Sequence, residues 1–350
     1  MSQKTLRVVQ WTTGNIGTRA LRAVIDHPNL TLAGLYVHSG AKEGLDAGEL
    51  CDRGTVGVKA TRSIDEIIDL GADCVLYMPL QFDLDEVCRI LSSGTNIVTT
   101  RGEFHHPPSM PAEIRDAVEA ACAAGGTSIH STGSSPGFIT EAVPLVLSSI
   151  QRTLDHLAID EYADLSQRNS PGILFEVMGF GQPPADFAEA RLDHVKANFG
   201  PSLQVLADAL GLPFDSVEAR GELAVARADV TIAAGEIPAG TVAAQRITIS
   251  GMRDGRELMR FRPTWYCTTD LDFTGSDAEW DLHATGWHIS IDGDAPLDIE
   301  MRFPVPLERM SETAPNYTAN RAVNAVHAVH AATPGIRTSL DLPLIVPVLN

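Results

Sequence analysis

Residues 6–27 read LRVVQWTTGNIGTRALRAVIDH, and this stretch decides the fold of the first part of the chain. An apolar run typical of a β-strand leads into a turn of small residues, and an amphipathic helical pattern follows until Pro28. Strand, tight turn and helix in this order are typical of the first βα unit of a dinucleotide-binding sheet. There the backbone approaches a pyrophosphate, which the free N–H groups of the helix N-terminus bind.

The turn matches two of the three glycines of the pattern G-x-G-x-x-G. Gly14 and Gly17 take the second and third positions, and Thr12 stands at the first. The residues of this turn that we predict to contact a dinucleotide are Thr12, Thr13, Gly14, Asn15, Ile16 and Gly17. The alternative is a plain βα turn in an α/β protein that binds no nucleotide.

Short apolar runs alternate with helical patterns over the first 130 residues. The candidate strands lie at residues 6–10, 30–37, 56–60, 74–78, 96–100 and 127–130. Between them, Ser63 and Asp83 each stand three residues before a glutamate, which marks a helix start. The alternation predicts an α/β fold, with a doubly wound parallel Rossmann sheet over residues 1–135.

From residue 136 onward the pattern changes to long alternating segments and loops. Helical patterns lie at residues 185–198 and 201–210, and two hairpins are predicted from strands at 241–250 with 258–267 and at 287–291 with 297–303. We therefore predict a second α+β domain, mainly antiparallel, over residues 136–315. A C-terminal helix and tail, residues 316–350, are expected to return to the Rossmann domain.

Charge and cysteine content restrict the partners. A net charge of -19 at pH 7 repels phosphate backbones and acidic lipid surfaces, so we expect neither nucleic acid nor membrane as a partner. The five cysteines are spread without the close pairs of metal sites or disulfide frameworks. No apolar stretch resembles a signal peptide or a membrane span, and we expect a cytoplasmic protein that binds a small molecule.

The end of the second strand predicts the choice between NAD and NADP. NAD enzymes usually place an acid there, where it binds the ribose 2′-hydroxyl. Here no carboxylate stands at the tip, and we predict that His38, Ser39 and Lys42 meet a 2′-phosphate. NADP is therefore favoured, and NAD stays possible because Glu43 lies close; the alternative is a solvated loop in which Lys42 contacts nothing.

Ligands of doubly wound sheets bind outside the carboxyl ends of the strands. Residues at these ends that we predict to border the cofactor are Met78, Pro79, Thr100, Thr132 and Gly133. Glu103 follows the fifth strand, where its carboxylate can take a proton from an amine or hold an ammonium ion. The alternative is a loop glutamate paired with Arg101.

Two histidines next to this glutamate raise the question of a metal. His105 and His106 are adjacent in the chain, so their side chains point apart, and no third and fourth ligand has suitable spacing. We predict no metal site.

Several motifs together resemble one family. They are Val9-Gln10-Trp11 before Thr13-Gly14-Asn15-Ile16-Gly17, Asp46-Ala47-Gly48-Glu49-Leu50, Glu103 after the fifth strand, Ser135-Pro136-Gly137-Phe138, and Thr318-Ala319-Asn320-Arg321-Ala322-Val323-Asn324. The chain resembles, over nearly its whole length, the native NAD(P)-dependent amine dehydrogenases, which are related to 2,4-diaminopentanoate dehydrogenase and are dihydrodipicolinate reductase-like. It departs from them at Thr12, where the family often carries glycine.

The resemblance implies reversible reductive amination of a small ketone or aldehyde with ammonia. Glu103 would then orient ammonia and transfer protons, while the nicotinamide supplies the hydride. It also implies a homodimer formed through the second-domain sheet, and a cofactor contact by Asn320 in the closing helix.

An apolar substrate pocket between the domains is also expected. The residues predicted to shape it, each of which could equally be ordinary core, are Phe138, Asn169, Phe175, Met178 and Phe180. Two other functions stay open: another oxidoreductase of this fold, acting on a hydroxyl or an activated C=N ring, and a non-catalytic NADP-binding sensor. Dihydrodipicolinate reductase activity itself is disfavoured, because the lysine, aspartate and Pro-Ser-Gly-Thr of that enzyme do not follow the fifth strand.

Overall fold

The protein is described by a computed structural model that covers residues 4–185, 187, 189–273 and 280–348. Among these, the residues up to Ala142 and from Pro315 onward form one compact unit, unit 1. The residues of Val143–Ala314 form the other, unit 2.

The strands of the described residues, in chain order, are β1 (Leu6–Trp11), β2 (Leu30–Tyr36), β3 (Ala60–Thr61), β4 (Cys74–Tyr77), β5 (Asn96–Thr99), β6 (Ser128–Ser131), β7 (Leu154–Asp164), β8 (Ser216–Ala226), β9 (Val230–Ile232), β10 (Gly235–Ile237), β11 (Val242–Arg253), β12 (Arg256–Tyr266), β13 (Leu271–Asp272), β14 (Gly286–Gly293), β15 (Leu297–Arg302) and β16 (Gly335–Arg337). The helices are α1 (Asn15–Asp26), α2 (Ile64–Asp69), α3 (Leu84–Ser92), α4 (Ala112–Gly125), α5 (Val143–Ser148), α6 (Glu189–Ala209) and α7 (Leu307–His330). No helix among the described residues combines the length and the apolar character that crossing a bilayer requires.

Unit 1 is built on a sheet in the order β16-β6-β5-β4-β1-β2-β3. All of its strand pairs are parallel. The strand order reverses between β1 and β4, which is the switch point of a doubly wound sheet. The predicted Rossmann sheet is therefore confirmed, while β16, a strand of three residues, was not predicted.

Helices cover both faces of this sheet because alternate strand residues point to opposite sides. Val75 and Tyr77 pack into a core with residues of α3 and α4. Cys74 and Leu76 pack into a second core with residues of α1 and α7. Both faces are apolar, which explains why the strands read as continuous hydrophobic runs.

The loop between β2 and β3 is organised by Asp46. Its carboxylate accepts the backbone N–H groups of Gly48, Val56 and Gly57 at 2.9, 2.9 and 2.8 Å. Because Val56 and Gly57 donate to this side chain, they do not join the sheet, and the strand predicted over residues 56–60 was too long. A Cβ at Gly48 would lie 2.0 Å from the Gly54 carbonyl oxygen, so this position requires glycine.

The same hydrogen bonds, above all that from Val56, lower the pKa of Asp46 below its ordinary 3.8. A carboxyl whose pKa is lower in the folded state stabilises the fold above its unfolded pKa, and this stabilisation disappears as the pH falls through the folded value. Asp46→Asn should therefore be less stable than wild type at pH 7, and the gap should close below about pH 4. Urea unfolding at several pH values measures the difference in unfolding free energy between Asp46→Asn and wild type. A difference that is independent of pH would contradict this account.

Unit 2 contains a sheet in the order β13-β8-β11-β12-β7-β14-β15. Its pairs are antiparallel except β7 with β12, so the mainly antiparallel sheet is confirmed. Both predicted hairpins, β11–β12 and β14–β15, form. Asp254 and Gly255 connect the first with φ angles of 51° and 73°, the left-handed values that a two-residue hairpin turn prefers.

One helix, α6, replaces the two helical segments predicted around Pro201. The helix continues through the proline because its apolar side chains on both sides of it pack on the sheet. The Phe199 ring lies 4.8 Å from that of Phe261 in β12, and Leu203 is fully buried. Sheet packing here outweighs the loss of one helical hydrogen bond.

Candidate active site

The parallel sheet of unit 1 brings the turns after β1, β2, β4, β5 and β6 to one edge. The predicted cofactor residues from Thr12 to Gly133 lie in the turns that follow these strands. Hydrogen bonds join neighbouring turns: Thr12 Oγ1 donates to the Met78 carbonyl at 2.9 Å, and the Thr132 N–H donates to the Thr99 carbonyl at 2.9 Å. Asn320 is exposed on α7.

The turn after β1 has the geometry of an anion site. Thr12 has a φ of 73°, the left-handed region that favours glycine. A Cβ at Gly17 would lie 2.4 Å from the Thr12 carbonyl oxygen, whereas a Cβ at Gly14 would meet no atom within 4 Å. Among the described residues, no side chain caps α1 at Gly14, and the first turn of this helix has no acidic residue. The helix N-terminus therefore presents free N–H groups and its positive dipole end to an anion.

Two cations lie beside this turn at the end of β2. Lys42 Nζ donates to Thr13 Oγ1 at 2.8 Å, so it does not extend freely into solvent. Arg62, directly after β3, donates from Nε to the His38 carbonyl at 3.1 Å. Glu43 Oε2 lies 4.0 Å from Arg62 Nη1.

Arg62 was not predicted from the sequence. Its signal was a basic residue directly after a strand that pairs with β2, and the predicted strand ended at residue 60, one residue before the observed end at Thr61. His38 and Ser39 are exposed next to it.

Glu103 lies in a short 3₁₀ turn, Gly102–Phe104, after β5. Arg101 binds both carboxylate oxygens, through Nε to Oε2 at 3.2 Å and through Nη2 to Oε1. The Glu103 side chain is nevertheless 29% exposed, and Phe104 is fully buried beneath it. A carboxylate accepts about four hydrogen bonds, so pairing with Arg101 still leaves acceptor positions for a ligand.

The loop after β6 packs against α7. Ser134 Oγ and Thr318 Oγ1 are 2.6 Å apart, and Arg321 Nε lies 3.4 Å from Thr132 Oγ1. The Arg321 Cζ atom lies 5.9 Å from the centre of the Phe138 ring. Burial lowers the pKa of Arg321, partly opposed by the carboxylate of Glu141.

A buried polar group beneath this edge was not predicted. Glu141 is fully buried, and its Oε1 lies 2.6 Å from His105 Nδ1. Burial lowers the pKa of His130 to about 4, so its ring is neutral at pH 7 and donates from Nδ1 to the Arg337 carbonyl. The sequence signal for Glu141 was an acid inside an apolar helical run. In the described part of the chain, no three His, Cys, Asp or Glu side chains are grouped as metal ligands.

The predicted substrate residues lie in both units, Phe138 in unit 1 and the others in unit 2. Met178 and Phe180 are buried in the apolar core of unit 2, and Phe175 packs against it. Asn169 is exposed, and the same segment also exposes Ile173 and Val177, by 42% and 70%.

Comparison with known proteins agrees with this architecture. Residues 138–350 match the model of the 2,4-diaminopentanoate dehydrogenase C-terminal domain. An amine dehydrogenase from Streptomyces virginiae is 30% identical over 97% of this chain and 96% of its own. The structure of an amine dehydrogenase from Mycobacterium smegmatis superposes with a TM-score of 0.75 at 19% identity, over 98% of this chain and 97% of that one.

A more distant structure shares the fold. The scyllo-inositol dehydrogenase from Lactobacillus casei, solved with NAD(H) and scyllo-inositol, has a TM-score of 0.50 at 12% identity over 92% of this chain and 89% of that one. The matched domain covers more than half of the chain, and the Streptomyces relative covers nearly all of it. The chain therefore belongs to the amine dehydrogenase family related to 2,4-diaminopentanoate dehydrogenase, and it is an oxidoreductase.

Proposed function

We propose that the protein catalyses the reversible reductive amination of a small ketone or aldehyde with ammonia, with NAD(P)H as the hydride donor. The observation that carries this proposal is Glu103. Its carboxylate is accessible at the edge of the sheet where the strands end, and Arg101 orients it. The turn that carries it is anchored by the buried side chain of Phe104. Ligands bind at this edge in doubly wound sheets.

The turn after β1 fits the diphosphate of a nicotinamide dinucleotide. The uncapped N-terminus of α1 and the open space above Gly14 leave room and hydrogen-bond donors for it. The Lactobacillus casei structure, which has this fold, holds NAD(H). Such a cofactor supplies the hydride, and the protein supplies its binding and orientation.

Glu103 supplies the proton transfers in this proposal. Its free acceptor positions hold ammonia or ammonium, and the carboxylate takes up a proton when the nitrogen adds to the carbonyl carbon. The carboxyl returns that proton to the carbonyl oxygen, and it then carries a second proton from the nitrogen to the resulting hydroxyl, which leaves as water. The C=N bond that remains accepts the hydride. A positioned acid–base group of this kind typically contributes about 10²–10⁴-fold in rate.

Glu103→Gln should reduce ammonium-dependent turnover by about 100-fold or more, because the amide keeps the shape and cannot exchange the proton. NADPH oxidation is measured with a panel of short aliphatic and cyclic ketones and aldehydes at high ammonium. Glu113→Gln, an exposed glutamate in the first turn of α4, is the matched control and should retain wild-type turnover.

Other results would replace the proposal. Full activity of Glu103→Gln means that another group carries the proton. Turnover independent of ammonium indicates a different oxidoreductase, and NADPH binding without any turnover indicates a sensor.

We further propose that NADP is preferred over NAD. Arg62 and Lys42 place two cations at the end of β2, where a 2′-phosphate lies in proteins of this fold. His38 and Ser39, exposed between them, complete the site.

Arg62→Ala should raise KM for NADPH about tenfold or more and leave KM for NADH nearly unchanged, since hydrogen bonds to charged groups contribute about 1.5–3 kcal/mol. Steady-state kinetics with both cofactors measures it. Lys59→Ala removes an exposed lysine nearby and serves as the control for charge alone. An equal effect on both cofactors would exclude a 2′-phosphate site.

We also propose a homodimer formed through the sheet of unit 2. Phe261 faces α6, so Arg260 and Arg262 lie on the opposite face. That face carries positively and negatively charged side chains: Arg262 binds Asp160 at 2.8 Å, and Arg246 binds Glu222. A face of mixed charge can complement a second copy of itself across a two-fold axis.

Sedimentation velocity should give twice the 37.5 kDa mass of the chain. Arg220 is exposed on β8 and points to the same face as Glu222. Arg220→Glu should weaken dimerisation about tenfold or more by placing like charges together, whereas Asp193→Arg, exposed on α6, should not. A wild-type monomer at micromolar concentration would contradict the proposal.

A further inference from the structure

Glu141 is a fully buried acid for which the proposed reaction has no direct use. It lies in a π-helical turn, Phe138–Ala142, which follows the loop after β6. Burying a carboxylate is costly unless hydrogen bonds and charges compensate it. The partners of this side chain therefore indicate why it is there.

Two of these partners come from distant parts of the chain. His105 Nδ1 donates to Oε1 at 2.6 Å, and Ser339 Oγ donates to Oε2. Arg321 adds positive charge close by, since the Glu141 carboxylate acts on the pKa of its guanidinium. One carboxylate thus binds the segment after β5 and the segment after β16, both within unit 1.

The segment after β5 carries Glu103. His105 directly follows the 3₁₀ turn Gly102–Phe104 and is 2% exposed. Phe104 fixes this turn to the core on one side, and the hydrogen bond from His105 to Glu141 fixes its end. Removing Glu141 leaves a buried imidazole donor without this acceptor, which favours displacement of the turn.

We propose that Glu141 is a positioning residue that holds the Glu103 turn in place and ties it to the chain beyond β16 through Ser339. This rests on the proposed role of Glu103. The carboxylate does not touch the reacting atoms; it determines how firmly Glu103 is held near them.

The chain offers a matched control. Glu119 Oε1 accepts the Ile336 N–H at 3.1 Å, so it also binds the segment that contains β16, but from α4 and without contact to His105. Glu119→Ala should loosen the segment that contains β16 and leave the hydrogen bond between His105 and Glu141 in place. Glu141→Gln keeps an acceptor for His105 and a polar partner for Ser339, whereas Glu141→Ala removes both.

The first measurement is hydrogen–deuterium exchange of the full-length protein. Peptides covering residues 101–106 should exchange about tenfold faster in Glu141→Ala than in wild type. Glu141→Gln should restore most of the protection, and Glu119→Ala should leave these peptides unchanged. Wild-type exchange in Glu141→Ala, or equal effects of Glu119→Ala and Glu141→Ala, would overturn the proposal.

The second measurement is a double-mutant cycle on ammonium-dependent NADPH oxidation. Glu141→Ala should lower kcat about tenfold with the Kd for NADPH within twofold of wild type, and it should add little to the loss in Glu103→Gln. If the losses in kcat of the two single variants multiply in the double variant, Glu141 does not act through Glu103, and the proposal is overturned. If Glu103→Gln alone retains full turnover, or no carbonyl is turned over, the proposed function fails, and hydrogen exchange alone decides the positioning role.

Folding is checked for each variant by thermal unfolding. If Glu141→Ala does not fold, Ser339→Ala takes its place, because it removes one hydrogen bond from the same carboxylate at a partly exposed position. It should raise exchange of the same peptides about threefold. Unchanged exchange in Ser339→Ala would then count against the proposal.

Discussion

The close approach of α1 to the turn after β1 is the constraint on which the edge of the unit 1 sheet depends. It is possible only because Gly17 lacks a Cβ, which would lie 2.4 Å from the Thr12 carbonyl oxygen. Thr12 in turn adopts a left-handed φ that costs a branched residue about 1–2 kcal/mol. Its hydroxyl bonds the Met78 carbonyl, which offsets part of that cost and joins β1 to β4 at the switch point.

The parallel sheet and the turn after β1 could be predicted from the sequence, because both depend on local patterns. The errors arise where distant residues decide. Val56 and Gly57 donate to Asp46, which shortens β3 at its start. α6 continues through Pro201 because the sheet beneath it binds both halves.

The candidate site shows the same division. The place of Glu103 after β5 and its pairing with Arg101 could both be predicted from the sequence, and the pairing forms. The support from Glu141 depends on residues distant in sequence and exists only in three dimensions. The segment Gly172–Val177, which the sequence predicted as part of a Pro- and Gly-rich loop, forms a π-helical turn. Phe175, predicted there to shape a pocket, packs against the core of unit 2, and the exposed apolar side chains are its neighbours Ile173 and Val177.

Unit 1 is discontinuous in sequence, and this affects its synthesis. One face of its sheet, with Leu76 and Val98, is covered by α7 residues that leave the ribosome only after all of Val143–Ala314. At a synthesis rate of about 5–20 residues per second, that apolar face stays exposed for about 10–30 s before α7 is synthesised. Unit 2 is continuous and has no such delay. During translation the nascent Rossmann half is therefore the part of the chain with greatest need of a chaperone, although it is made first.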